Sequence, residues 1–308
     1  MMYVILFLCL LLLFFLLLYG FYFFAFCHPT KKRPKPRVVP SSPLYIGHED
    51  ELLKWTIQME EEPNELVQIK SLDGKNLFGH LYIRQPEAPL VIFSHGYHGI
   101  YCRDGYGMYR VTKKNDLNIL MIDARAHGLS EGDITFGIRE RQDFKSWIEY
   151  VIDRFGNDQP ILLAGVSMGA ASALMSTALG LPDNIKGIVA DCGYTKPSEI
   201  LKQTIREMKL PPSVFYPILW LSARLYGGFD LESGKAIDAV SASQIPTLFI
   251  HGMKDSVVPV AMGTELFEHC ASPNKQIQYF ETADHANSAL TDFTLYEKTV
   301  EHFLSSVF

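Results

Sequence analysis

Cysteine is scarce and scattered in this chain of 308 residues. The five (Cys9, Cys27, Cys102, Cys192 and Cys270) are odd in number and show no CxxC spacing. That argues against a disulfide framework and a paired-cysteine zinc site, and it fits a reducing compartment. Long repeats, Gln/Asn-rich tracts and Gly/Ser-rich tracts are also missing, which leaves no low-complexity architecture to consider. No acidic residue precedes Glu49, and no charged side chain of either sign occurs from Met1 to Cys27. Positive charge is short overall: the chain carries −6, and without the five cations of residues 31–37 the body from 48 to 308 carries −11. A body that acidic lacks the electrostatic footprint for a phosphate backbone, so nucleic acid is excluded as an expected partner.

What is present at the start is a continuous apolar run. Residues 1–27 are mostly Leu, Phe, Ile, Val and Tyr, and roughly 20 such residues suffice to cross the hydrocarbon core. A cleaved signal peptide would need a basic leading region, a shorter apolar run and a small-x-small cleavage site, none of which is seen. A transmembrane anchor over 1–27 is therefore expected. Lys31, Lys32, Arg33, Lys35 and Arg37 follow, interleaved with Pro34 and Pro36. By the positive-inside tendency they place a cytoplasmic flank and with it a cytoplasmic catalytic domain; the same residues suit anionic headgroups. Residues 28–47 read as a basic, Pro-rich, extended linker, so deletion through Pro43 is expected to release an active soluble domain of residues 48–308.

Within that domain His48–Glu62 has helical spacing. Glu65–Leu72 and Asn76–Arg84 read as strands joined at Asp73-Gly74, a strong hairpin signal. The short apolar runs Pro89–Phe93, Asn118–Ile122, Ile161–Ala164, Gly187–Ala190, Pro246–Ile250 and Gln276–Phe280 read as buried parallel strands. Helical stretches such as Arg139–Arg154, Met168–Leu179 and Asp292–Phe308 alternate with them, which predicts a doubly wound α/β sheet of eight strands with right-handed crossovers. One connection, residues 196–243, is too long for an ordinary loop. Pro211-Pro212 divides it, and its apolar part holds Phe215, Tyr216 and Trp220. A buried helix and a small helical cap over the active site are the two readings.

Gly165-Val166-Ser167-Met168-Gly169 joins the strand Ile161–Ala164 to a helix beginning Ala170-Ala171. This strand–turn–helix setting is that of a nucleophile elbow, where glycines permit a strained turn and the serine is lifted above the sheet. A base and an orienting acid must then follow in the order Ser, Asp, His. Asp255 lies on the loop after the strand ending at Ile250, and His285 on the loop before the last helix, both at the carboxyl edge of the sheet where Ser167 must lie. Asp191 is the rival acid, since it also follows a strand, and Asp284 adjoins His285 too closely in sequence to pair with it. Among the other histidines, His127 and His251 suit structural roles, and His95 and His98 precede the serine. Cys102 and Cys192 are rival nucleophiles better read as packed cysteines.

These segments resemble the α/β-hydrolase superfamily, in its esterase, lipase and acylaminopeptidase-like branches, over about Glu65 to Phe308. The elbow, the HGxxDxxVP-like segment from His251 to Pro259, the His285 loop and Ser94-His95-Gly96-Tyr97-His98-Gly99 occur in that family's order. The resemblance implies Ser167, Asp255 and His285 as catalytic triad, and the backbone N–H groups of Tyr97 and Met168 as oxyanion hole. Asp123 to Gly132 matches a family segment that shapes the sheet edge. His98, Phe215, Tyr216 and Trp220 are the expected substrate-binding residues. The expected activity is a membrane-anchored carboxylic-ester hydrolase, with lipid or acyl-thioester substrates brought from the bilayer and no metal or organic cofactor. A serine peptidase is the second reading, and a catalytically silent binding protein on the same fold the third. Oligomeric state is not legible.

Overall fold

The computed structural model describes residues 1–308. Its strands are β1 (Glu65–Lys70), β2 (Asn76–Tyr82), β3 (Leu90–Ser94), β4 (Asn118–Ile122), β5 (Ile161–Val166), β6 (Ile185–Asp191), β7 (Thr247–Gly252) and β8 (Lys275–Phe280). They form one eight-stranded sheet in the order β1-β2-β4-β3-β5-β6-β7-β8. The β1–β2 and β2–β4 pairs are antiparallel and the remaining pairs parallel. Strands β3 to β5 are buried at every position, as continuous apolar runs covered on both faces must be.

The helices are α1 (Met2–Phe26), α2 (Glu49–Glu61), α3 (Tyr101–Asp104), α4 (Tyr106–Lys114), α5 (Glu140–Phe155), α6 (Met168–Ser176), α7 (Pro197–Glu207), α8 (Pro212–Ser222), α9 (Ala236–Ala242), α10 (Val260–His269), α11 (Ser288–Thr291) and α12 (Phe293–Val307). A π-type turn, Ala223–Gly227, continues α8. Two apolar clusters sandwich the sheet. One joins α5, α6, α7 and α9 with Tyr22 and Phe26 of α1; the other joins α2, α4 and α12. The strand after the hairpin begins one residue later than read from sequence, and most helix ends fall within a residue or two of the expected ones, as fraying termini do. Helices α3 and α4 were not read from sequence.

Helix α1 is 25 residues of apolar sequence, the one helix long and apolar enough to cross a membrane. Its residues 2–17 are exposed, but Leu18, Tyr22, Ala25 and Phe26 are buried. These positions recur at helical spacing on one side, and the Phe26 carbonyl accepts a bond from the Ile134 N–H at 2.8 Å. The following segment is also held. Arg33 Nη1 donates to the carbonyls of His127, Gly128 and Ser130 at 3.3, 2.8 and 2.9 Å, while Lys31, Lys32 and Lys35 stay exposed.

These contacts change the expected outcome of truncation. Removing residues 1–17 leaves the packed turns of α1 in place, so the domain should melt as the full chain does. Removing residues through Pro43 takes away Tyr22 and Phe26. The loss of one buried aromatic of this kind costs about 3–5 kcal/mol, a large part of the roughly 5–15 kcal/mol that holds a domain together. The longer truncation should melt well below the shorter one in a thermal scan in detergent. Equal melting temperatures would mean the packed end of α1 carries no stability.

Candidate active site

The elbow places Ser167 between β5 and α6 with φ 54° and ψ −114°, a conformation outside the ordinary L-residue regions and of the strained kind that concentrates at functional sites. Its N–H donates to the Asp191 carbonyl at 2.8 Å, which ties the turn to β6. Both flanking glycines are demanded by close backbone approach. A Cβ on Gly169 would lie 2.1 Å from the Ser94 carbonyl oxygen, and one on Gly165 would lie 2.4 Å from the Gly169 carbonyl carbon. Because the Ser94 oxygen is backbone of a central strand, it cannot swing aside. Gly169→Ala should therefore cost about 3 kcal/mol or more, the upper end for overpacking, read as a lower denaturation midpoint in urea. An unchanged midpoint would contradict the close approach.

Ser167, Asp255 and His285 come together across 118 and 30 residues of sequence. His285 Nε2 is 3.0 Å from Ser167 Oγ, and His285 Nδ1 is 2.9 Å from Asp255 Oδ2 and 3.1 Å from Oδ1. With Nδ1–H donating to the carboxylate, Nε2 is the acceptor for the serine hydroxyl. Asp255 is enclosed. Its Oδ1 also accepts from the N–H groups of Val257 and Val258 at 2.9 and 2.7 Å, and its Oδ2 lies 3.4 Å from His251 Nε2. Burial pushes its carboxyl up, but the bonds from His251 and His285 outweigh burial and hold it well below the usual carboxylate range. Asp284, too close in sequence to orient His285, instead pins the loop: its Oδ1 accepts from Ser256 N–H and Oγ, both at 2.8 Å, and from His285 N–H at 2.6 Å.

Asp191, the rival acid, lies elsewhere in this network. Its Oδ1 accepts from Ser288 Oγ at 3.2 Å, and full burial pushes its carboxyl up to about 7 despite the nearby His251 and His285. Cys192 is likewise fully buried and its thiol is driven well above the usual range, chiefly by burial and then by Asp191. Cys192, Asp255 and His285 present donor atoms within 4.8 Å of one another. The carboxylate and the imidazole Nδ1 are already bonded to each other and the thiol stays protonated, so this set suits a hydrogen-bonded pair better than a metal ion.

The loop after β3 carries Tyr97. No acceptor within the protein takes the Tyr97 N–H, whereas the neighbouring Gly96 N–H donates to Asp104 Oδ2 at 3.0 Å. Met168 is the first residue of α6 and so has no carbonyl of its own helix to bond. Two N–H groups without a partner in the protein thus belong to residues that line one cavity with Ser167. Histidines hold the loop: Ala124 N–H donates to His95 Nε2 at 3.1 Å, and His98 N–H donates to His127 Nε2 at 2.9 Å. Their Nδ1–H groups then donate to the carbonyls of Gly96 and Arg125, each at 2.9 Å. Full burial drives His127 well down, consistent with the neutral ring this pattern requires. The Tyr97 hydroxyl donates to the Ala25 carbonyl of α1 at 3.2 Å, so the loop also leans on the N-terminal helix.

A cavity of 440 Å³ opens over Ser167 and His285. Its walls are mainly apolar: Phe136, Ile200, Leu201, Ile205 and Leu219, with Phe24 and Ala25 of α1. Helices α7 and α8 therefore lie over the serine. The four expected substrate-binding residues are not among its walls. His98 stacks on Tyr97, Phe215 packs against Phe21, Tyr216 donates to Glu232 at 2.6 Å, and Trp220 Nε1 donates to Asp230 at 3.0 Å. The aromatic side of α8 faces α1 and the Asp230 turn, and Leu219 is the α8 residue that lines the cavity. Wall residues from α7 and α1 were missed from sequence. The amphipathic spacing of Ile200, Leu201 and Ile205 was the available signal; nothing local marks Phe24 and Ala25.

Residues 89–219 match a family model described as the alpha/beta hydrolase fold. The chain is 30% identical over 192 residues, 62% of its length and 63% of the relative's, to YqkD, an uncharacterized protein of Bacillus subtilis. It is 25% identical over 181 residues, 57% of each chain, to an uncharacterized membrane protein of Saccharomyces cerevisiae. It thus spans less than two thirds of the length of either relative. A solved structure of an esterase from Pyrococcus furiosus superposes with a TM-score of 0.66 at 23% identity, covering 89% of this chain and 97% of that one, a likeness that concerns the fold.

Proposed function

We propose that this chain, which carries the α/β-hydrolase fold, is a membrane-anchored serine hydrolase that cleaves carboxylic esters through an acyl-enzyme. The observation that carries the reading is the continuous chain of bonds from Ser167 Oγ through His285 to Asp255, beneath an apolar cavity. His285 Nε2 takes the hydroxyl proton as Ser167 Oγ attacks the acyl carbonyl. Asp255 holds the tautomer and stabilises the imidazolium, and the N–H groups of Tyr97 and Met168 receive the developing oxyanion. Collapse breaks the carbon–oxygen bond, and the leaving alcohol takes the proton from His285. Water, activated by the same imidazole, then attacks the acyl-enzyme, releasing the acid and restoring Ser167.

The apolar helix α1 supports an anchor, and exposed Lys31, Lys32 and Lys35 beside its end support a cytoplasmic catalytic domain. The walls around Ser167 favour an ester of an apolar acyl group over a peptide, which would need polar partners along its backbone. Purified in detergent, the full chain should hydrolyse p-nitrophenyl esters from acetate to palmitate with kcat/KM rising beyond acetate. Cleavage of aminoacyl amides with no ester turnover would overturn the reading in favour of a peptidase.

A further inference from the structure

Helix α8 is apolar all round and yet lies at the surface. No charged residue occurs from Pro211 to Ala223. One side packs inward through Leu219 and Ser222. The other presents Val214 and Leu221, joined by Leu225 of the π-type turn that continues the helix; the three are respectively 52%, 39% and 48% exposed. With exposed Pro217, these positions form one stripe at helical spacing. A contiguous outward apolar stripe of this kind marks an interaction surface.

The neighbour of that stripe is α1. Phe21 packs on Phe215, Tyr19 and Tyr22 pack on Tyr226, and the Tyr226 hydroxyl donates to the Phe15 carbonyl at 2.7 Å. The depth of these contacts follows from helix geometry. At 1.5 Å per residue α1 is about 37 Å long, and a hydrocarbon core is roughly 30 Å thick. If α1 spans, only about 7 Å of its carboxyl end stands clear, and tilt makes that less. Phe15 lies about 16 Å from that end, so the part of the enzyme bonded to it is carried below the membrane surface. One charged pair near this face is placed to suit. Arg224 pairs with Asp230 at 3.3 Å and lies over the Trp220 ring, which lets its head reach the interface while its stem covers apolar surface.

Resting on the serine hydrolase reading above, we propose that the α8 stripe is immersed in the bilayer beside α1, and that the substrate is a lipid with a single ester-linked acyl chain drawn from that bilayer into the cavity. The cavity wall is shared between the anchor and the cap: Phe24, 69% exposed, and Ala25 come from α1, and Met208 and Leu219 from α7–α8. An acyl chain leaving the membrane along this seam meets apolar side chains from the lipid to Ser167. The volume, 440 Å³, lies low in the range of small-ligand cavities, roughly 300–1,000 Å³, which suits one chain in place of two.

The test uses the full chain in phosphatidylcholine vesicles. In a Cys9→Ser background, an environment-sensitive fluorophore is placed on Leu221→Cys, or on Ser305→Cys of α12 across the sheet. Nitroxide-labelled lipids should quench the label at 221 and leave the one at 305 unquenched. A separate Val214→Glu, Leu221→Glu double variant alters only exposed positions and should fold. Its kcat/KM for monooleoylglycerol in the vesicles should fall about tenfold or more, as charge withdraws the stripe from the lipid, with hydrolysis of soluble p-nitrophenyl butyrate unchanged. Equal quenching at the two sites, or an unchanged rate on the vesicle substrate, would overturn the proposal. Failure of the hydrolase reading looks different: the unsubstituted chain would turn over neither substrate, while the quenching result would stand unaltered.

Discussion

Ser167→Ala should lose ester hydrolysis about a million-fold, to below detection, with melting temperature unchanged. The alanine removes one oxygen from a residue whose backbone, at φ 54° and ψ −114°, is fixed by its turn and by the bond to Asp191 and not by its side chain. His285 remains bonded to Asp255, so the site keeps its shape and lacks only the group that forms the acyl-enzyme. Kinetics with p-nitrophenyl butyrate, read beside a thermal melt, separate the two effects. Substantial ester turnover in the variant would transfer the nucleophile's role away from the elbow.

Asp255→Asn is expected to lower kcat by about four orders of magnitude. Asparagine fills the same space, but its amide gives His285 Nδ1 either an N–H donor or a neutral oxygen where a carboxylate stood. The first choice forces the proton onto Nε2, where it meets the Ser167 hydroxyl as a second donor. The second leaves the imidazolium that forms during attack without its counter-charge. The cost is the greater because Asp255 is enclosed by Val257, Val258 and His251, so no water stands in for the lost charge. A near-normal kcat would point to Asp191, whose carboxyl, raised to about 7 by burial, makes it the weaker acid partner at neutral pH.

The fold was legible because its signals are local and strong. Runs such as Ile161–Ala164 and Asn118–Ile122 are short, continuous and bounded by turn residues, as strands covered on both faces are, and Asp73-Gly74 marks its own hairpin. The elbow, Asp255 and His285 were legible for another reason: each lies where a strand ends, and a parallel sheet brings those ends to one edge. Helices α3 and α4 escaped because Arg103, Asp104 and Gly105 interrupt their apolar spacing. The substrate wall escaped for a tertiary reason. Phe215, Tyr216 and Trp220 looked like a lining because they are aromatic, but which side of α8 faces Ser167 is decided by α1, some two hundred residues away in sequence. The segment after α1, extended and basic in sequence, is held to the domain through Arg33, whose partners are carbonyls about a hundred residues away.

The most direct test of Ser167 as an activated nucleophile is covalent labelling with a fluorophosphonate, followed by mass mapping of the adduct. The folded protein should react once, on the peptide carrying Gly165-Val166-Ser167-Met168-Gly169, and His285→Ala should react far more slowly. A well-folded protein that stays unlabelled, or one labelled at another residue, would contradict the account.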